Sequence, residues 1–323
     1  MAQVGDRLVT VFGGSGFVGT QAVRALARDG WRVRVAVRKP NDAYELRMLG
    51  GVGQIQPVRC DVTSVSEVSA ALKGATAAVN LVGILFETPS RTFDKMHVEA
   101  GRIIAEACVM QSVDRLVQVS AIGADENSKG KYGWSKGRAE AVIREIKPDA
   151  VVLRPSIIFG AGDAFLNRFA SMATMAPALP LVGGGKTRFQ PVHVGDVAEA
   201  IARAASRADA EGRTFELGGP AVWSFKDILS YILRETGRDR LLAPLPFPIA
   251  KIVGSVAEIT ANLGIAPVLT QDQVVMLQTD NVVSPGADGL LALGIEPTGM
   301  EAIAPSYLWR YRKGGQFAEN PAT

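Results

Sequence analysis

Tyr132 and Lys136 stand four residues apart in Tyr-Gly-Trp-Ser-Lys, so on a helix their phenol and ammonium share one face. A cation beside a phenol favours the phenolate, which lets the tyrosine give or take a proton near neutral pH. A second pattern serves binding. In Gly13-Gly14-Ser15-Gly16-Phe17-Val18-Gly19, glycines recur three apart directly after the apolar run Leu8 to Phe12. A buried strand that turns through glycines into a helix presents backbone N–H groups to a pyrophosphate. One glycine makes the tight turn, one lets the phosphate approach, and one lets helix and strand pack closely. A glycine-rich heptapeptide alone is equally a surface loop. Here it joins a strand pattern to a helix pattern, and a second apolar run, Trp31 to Val37, follows at the spacing of a βαβ unit. Gly13, Ser15, Gly16, Phe17, Val18 and Gly19 are therefore the expected pyrophosphate contacts.

Arg38 and Lys39 end the second strand, about twenty positions past the glycines. An acid there would bond the ribose hydroxyls of NAD; a guanidinium pairs instead with the extra phosphate of NADP. NADP(H) is the expected cofactor, and the competing reading of Arg38 is a solvated surface arginine. Asp61 and Val62 follow the third strand, where an acid meets the adenine amino group, although Asp61-Val62-Thr63 also reads as a helix cap. Leu81, Val82 and Gly83 leave the fourth strand beneath the ribose and nicotinamide, since ligands gather at the carboxyl ends of parallel strands. Ser120 ends the fifth strand and faces either the ligand or the sheet. Arg154 to Gly160, with Pro155, Ile157 and Ile158, would close over the nicotinamide.

The elements that must hold these residues alternate. Strands are expected at Leu8–Phe12, Arg32–Val37, Ile55–Arg59, Ala77–Val82, Leu116–Ser120 and Ala150–Arg154, with helices beginning near Phe17, Asp42, Ser64, Phe93 and Tyr132. Each strand is short and apolar on both faces, as a buried parallel strand must be. The fold class is α/β: a Rossmann-like, doubly wound parallel sheet with a smaller, irregular C-terminal lobe. Residues 1–159 form the dinucleotide-binding domain, 160–313 a lobe for substrate or partner that is interleaved with the sheet, and 314–323 a loosely held tail. In the second part a helix is expected at Asp196 to Ser206, capped by Asp196, a strand at Thr214 to Leu217, and helices at Ser224–Thr236 and Pro248–Leu263.

Composition narrows the function classes. With 35 Lys and Arg against 32 Asp and Glu, the net charge of +3 is too small and too scattered for nucleic acid. The 2 Cys, Cys60 and Cys108, form no framework and suit a reducing compartment. The 2 His, His97 and His193, leave no histidine-rich metal site, and His193 reads as structural rather than as a general base. The N-terminus carries no secretory apolar core, and no stretch is long enough to cross a bilayer. Ile249, Ile252, Val253, Val256, Ile259 and Leu263 fall at helical spacing, with Lys251 and Glu258 off that face. Such a stripe usually closes its own core; the alternative is a surface that meets lipid headgroups, quinone or a membrane-bound partner. Tyr307 to Lys313, aromatic and basic, suits the same surface.

The glycine spacing resembles that of extended and atypical short-chain dehydrogenases/reductases, which keep their catalytic pair where Tyr132 and Lys136 stand. These families carry a Ser or Thr two residues past the first serine of the fifth strand, to hold a substrate carbonyl; in this register the residue is Ile122, which donates no hydrogen bond. Val11 to Gly19, Val37-Arg38, Tyr132 to Lys136, Arg154 to Gly160, Thr187 to Val197, Phe215 to Pro220 and Pro305 to Leu308 together resemble one branch of these proteins. It is the branch of the NADPH-binding accessory subunit of respiratory complex I and its bacterial relatives. The resemblance implies a tightly held, structural NADPH; core subunits near the quinone site as partners; possible contact with lipid headgroups; and a peripheral position on the cytoplasmic side of the inner membrane. It also leaves open an enzyme, a reductase or an epimerase/dehydratase working through Tyr132 and Lys136 on a lipid-like, quinone-related or sugar-nucleotide substrate, and, more distantly, a nucleotide-sensing regulator.

Overall fold

The computed structural model describes residues 7–261 and 269–317, and the chain divides into two compact units. The first comprises Met1–Pro155, Val194–Leu217 and Gly286–Glu296. Its strands are β1 (Leu8–Phe12), β2 (Arg32–Val37), β3 (Ile55–Arg59), β4 (Ala77–Asn80), β5 (Arg115–Val119), β6 (Val151–Pro155) and a last one at Thr214–Leu217. They form a 7-stranded sheet in which β3, β2, β1, β4, β5, β6 and Thr214–Leu217 lie side by side, every pair parallel. The order reverses between β1 and β4, so the crevice beyond their carboxyl ends is the natural ligand site.

Alternation along each strand supplies both faces with apolar side chains. On one face Phe12, Ala36 and Ala78 join Leu72, Ile104, Leu116 and Ile143 in a single core. That core lies under α2 (Val65–Leu72), α3 (Ala100–Met110) and α4 (Lys131–Ile146). On the other, Val11 and Val35 approach Val23 of α1 (Phe17–Arg28) so closely that a Cβ on Gly14 would lie 2.7 Å from Val35 and 3.3 Å from Val23. The helix Val194–Ser206 runs beside α1, and the Trp31 indole joins their ends by donating to Asp29 Oδ2 (3.1 Å) and Ser206 Oγ (3.2 Å).

The strands and helices expected in this unit are present, with ends moved by one or two residues. Near Asp42 the structure has a 3₁₀ stretch, Pro40–Leu49, rather than an α-helix. Its apolar positions follow no regular face, and only Ala43 and Leu46 are buried. Asp196 lies inside the first turn of its helix rather than at the cap.

The second unit comprises Ser156–His193, Gly218–Pro285 and Pro297–Thr323. It is built from short paired strands, Ala178–Val182 with Leu241–Leu245 among them, and from the helices Leu166–Met175, Phe225–Glu235 and Phe247–Ala261. Its core centres on Phe159, Phe225, Tyr231 and Tyr307, and buried Asp163 accepts from the Tyr307 hydroxyl at 2.8 Å. The stripe on Phe247–Ala261 is a departure from the expectation that it closes a core. Ala250 is buried, while Ile249, Ile252 and Val253 are 51%, 66% and 46% exposed. The side chains of Val256 and Ile259, Leu263 as a whole, and residues 318–323 of the tail lie outside the described residues.

Candidate functional site

The turn after β1 has the geometry its glycines suggest. Gly13 has φ +79°, a conformation that a side chain would strain, and a Cβ there would sit 3.2 Å from the Leu81 carbonyl carbon. A Cβ on Gly19 would lie 2.4 Å from the Gly13 carbonyl oxygen, so no larger residue lets α1 start this close to β1. Ser15 and Gly16 form the exposed tip of the turn, and Phe17 and Val18 are half-buried. Gly16 caps α1 without a side-chain bond, and no acid stands in the first turn. The free N–H groups and the positive end of the helix dipole there suit a phosphate.

Beside this turn, the exit of β4 is held by a buried amide pair. Asn80 Nδ2 donates to Gln118 Oε1 (2.7 Å), and Asn80 Oδ1 accepts from the Val82 N–H (3.0 Å). Leu81, Val82 and Gly83 thereby keep one course along the crevice. A Cβ on Gly83 would stand 3.5 Å from Lys136 Nζ and 3.7 Å from His97 Nε2. Lys136 is buried; its Nζ donates to the Val119 carbonyl at 3.3 Å and lies 5.9 Å from the centre of the Tyr132 ring. Burial pushes the Lys136 pKa down to about 8, against the opposing pull of Glu140.

The helix carrying Tyr132 and Lys136 is locked to the sheet from below. Arg154 of β6 grips Glu140 with two nitrogens, Nε to Oε1 at 3.0 Å and Nη2 to Oε2 at 2.6 Å, and its Nη1 lies 3.7 Å from Glu216 Oε1. The Arg154 side chain is therefore engaged at the sheet, and Pro155 ends β6 as part of it. Ser120 is 5% exposed, and its Oγ is buried without a hydrogen-bond partner among the described residues. An orphaned hydroxyl at the carboxyl end of a central strand calls for a polar group from a ligand or water. Ile122 is buried, with its N–H donating to the Pro155 carbonyl at 3.0 Å.

At the other end of the crevice Arg38 and Lys39 are exposed, and Val62 belongs to the core. Asp61 Oδ1 accepts from the Thr63 N–H and hydroxyl (3.0 and 2.8 Å) in a turn, but the helix cap that Asp61-Val62-Thr63 suggests is supplied by Ser64 instead, whose side chain caps α2. Those Thr63 bonds, and then the charges of Arg38 and Lys95, hold the Asp61 carboxyl below its usual range. Arg91 also feels Arg38: burial first, then that charge, lowers its pKa, and its Nε is buried without a partner among the described residues. Two guanidinium charges within electrostatic reach of each other favour an anion near them. With the orphaned Ser120 hydroxyl and the open glycine turn, these residues fit a nicotinamide dinucleotide.

Ile157 and Ile158 belong to the second unit, where Ile158-Phe159 pairs with Val192-His193 and the His193 ring lies 5.5 Å from Phe159. Four residues of the first unit's site escape a reading by spacing: Arg91, Lys95, His97 and Ser135. Arg91 lies in an irregular segment, bridged to Thr88 by two 3.0 Å backbone bonds. Lys95 and His97 sit on a π-helical turn, Asp94–Glu99, that leads into α3 and breaks the period by which a helix face is read.

The sequence relationships agree with this architecture. Residues 9–218 match the NAD dependent epimerase/dehydratase family. The chain is 33% identical over 326 aligned positions to NADH dehydrogenase [ubiquinone] 1 alpha subcomplex subunit 9 of Arabidopsis thaliana, which covers 97% of this chain and 80% of that protein. It is 31% identical to the ceramide reductase of Caulobacter vibrioides over 61% of each chain. The crystal structure of gox2253 superposes with a TM-score of 0.71 at 23% identity, covering 97% of this chain and 100% of that one. With the family match spanning the sheet and its glycine turn, the chain belongs to the NAD dependent epimerase/dehydratase family.

Proposed function

We propose that this chain is an accessory subunit of respiratory complex I that holds NADP(H) as a fixed part of its structure and does not turn it over. The observation that carries the reading is Ile122. It is buried where the resemblance expects a hydroxyl, beside a crevice whose binding residues are otherwise complete. Binding draws on the turn at Gly13, Ser15, Gly16, Phe17, Val18 and Gly19, on Arg38 and Lys39 with Arg91 at the ribose phosphate, and on Asp61 and Val62 at the adenine. Leu81, Val82, Gly83, Ser120, Tyr132 and Lys136 line the nicotinamide half. When bound, NADPH supplies a hydride; without a donor at residue 122, these residues would hold the dinucleotide while a substrate carbonyl lacks one of the hydrogen bonds that polarise it.

Partnership with complex I rests on the likeness to the plant subunit along nearly the whole chain. The assembly surface we infer includes the exposed Ile249, Ile252 and Val253, which meet the membrane-side core subunits near the quinone site and the lipid headgroups around them. We infer a peripheral position at the cytoplasmic face of the membrane; among the described residues no helix is long and apolar enough to cross it. The test is native purification with mass spectrometry of both nucleotide and partners. Complex I subunits should accompany the chain, with close to one NADP(H) that ketone and sugar-nucleotide substrates fail to oxidise.

A second reading has its own observation. Lys136 Nζ lies 5.9 Å from the centre of the Tyr132 ring, where its charge would favour the phenolate, and the ceramide reductase of C. vibrioides is a relative. If the chain is a reductase or epimerase/dehydratase, it migrates apart from complex I and its turnover is lost on Tyr132→Phe.

A further inference from the structure

His97 is 2% exposed, and both ring nitrogens are engaged. The Ile84 N–H donates to Nε2 at 3.1 Å, and Nδ1 lies 2.9 Å from Ser135 Oγ. A backbone N–H can only donate, so Nε2 carries no proton and Nδ1 must. Ser135 Oγ gives its own proton to the Tyr132 carbonyl at 2.8 Å and is left to accept from Nδ1. Every donor in the chain Ile84, His97, Ser135, Tyr132 thus points one way. The ring also stacks on Phe93, with centroids 5.4 Å apart, and meets the Tyr132 ring edge-on at 5.6 Å.

We infer that His97 is a positioning residue: protonated on Nδ1 alone, it ties the β4 exit loop carrying Gly83 to the helix carrying Tyr132 and Lys136, and so fixes the wall that faces the nicotinamide half of a bound dinucleotide. The inference rests on the nucleotide reading above. Lys131 Nζ also donates to Glu87 Oε2 at 3.3 Å, but that ion pair is open to solvent and is the weaker tie. Burial and the neighbouring Lys136 charge keep the imidazole neutral, with its pKa held down to about 2.

Two ligands separate positioning from general destabilisation: NADPH, which reaches Gly83 and Lys136, and adenosine 2′,5′-bisphosphate, which occupies only the adenine end. His97→Phe removes both bonds and should weaken NADPH about tenfold while leaving the bisphosphate within about twofold. His97→Gln, which can still accept from Ile84, and His97→Asn, which can still donate to Ser135, should each restore part of the loss. Equal affinity of His97→Phe and wild type for NADPH, or an equal loss for both ligands, overturns the inference. A wild-type chain that binds neither ligand sinks the nucleotide reading and the affinity claim with it. The bridge is then judged by the ring nitrogens in ¹⁵N NMR: a protonated Nδ1 beside an Nε2 that stays unprotonated as the pH falls to about 4 supports it. A proton on Nε2, or a midpoint near the ordinary histidine value, refutes it.

Discussion

Replacing Lys136 with methionine should make the nucleotide-free protein more stable while it weakens nucleotide binding. Lys136 is 5% exposed, and burial lowers its pKa from 10.5 to about 8, so near pH 7 the fold holds an ammonium it would rather discharge. At about 1.4 kcal/mol per pKa unit, that shift corresponds to about 3 kcal/mol of destabilisation. Losing the bond to the Val119 carbonyl returns about 1 kcal/mol. That oxygen is not orphaned, because Gln118 Nε2 still donates to it at 3.0 Å. Glu140 likewise keeps its two bonds from Arg154. The net gain for Lys136→Met is about 2 kcal/mol near pH 7, or about 5 °C in Tm for a unit of this size. The pH dependence gives an independent check. The folded pKa lies below the unfolded one, so between about pH 8 and pH 10.5 the unfolded chain holds more protons and wild-type stability rises with pH. The methionine variant should lack that rise. Urea titrations of both proteins at pH 7, 9 and 10.5 measure these differences; a variant less stable than wild type at pH 7, or one with the same pH slope, refutes the argument.

Three further outcomes follow from named contacts. Arg38→Ala and Arg91→Ala should each weaken NADPH by about tenfold or more and NADH by little, read by calorimetric titration; equal losses for the two nucleotides would remove the ribose phosphate from between them. Gly19→Ala sets a Cβ 2.4 Å from the Gly13 oxygen, and should lower stability by about 2 kcal/mol or more and abolish nucleotide retention, measured by melting and by the nucleotide released on denaturation. Ile252→Asp, at a site 66% exposed, should change stability by less than about 0.5 kcal/mol but detach the chain from membranes in flotation assays; unchanged flotation would free this helix face from the assembly.

The sheet was open to reading because its strands are short, carry apolar residues toward both faces and are spaced by helices, so Leu8–Phe12, Arg32–Val37 and Ile55–Arg59 have the same ends in sequence and structure. Gly13 and Gly19 were legible for the same reason: their roles depend on backbone, which spacing records. Side chains that meet across sequence were not. His97 reaches Ser135 from 38 residues away, on a π-helical turn whose period hides its face. Arg91 reveals its place only once the fold brings it within reach of the Arg38 charge. The stripe at Ile249, Ile252 and Val253 shows the opposite failure: periodicity gives an apolar face but not what covers it, and here those side chains lie open.

The tight seating of α1 on the first glycine turn bears on how fast a dinucleotide can come and go. With the Gly13 carbonyl and the Gly19 backbone already in contact, this part of the cradle is ordered when the chain folds and has no slack to open. Docking there carries little reorganisation cost, so a phosphate arriving at the first turn of α1 finds its donors aimed in advance. Escape is then governed by how long the walls at the nicotinamide end stay shut, which makes residence time, more than association rate, the kinetic constant that variants near Gly83 and Lys136 should change.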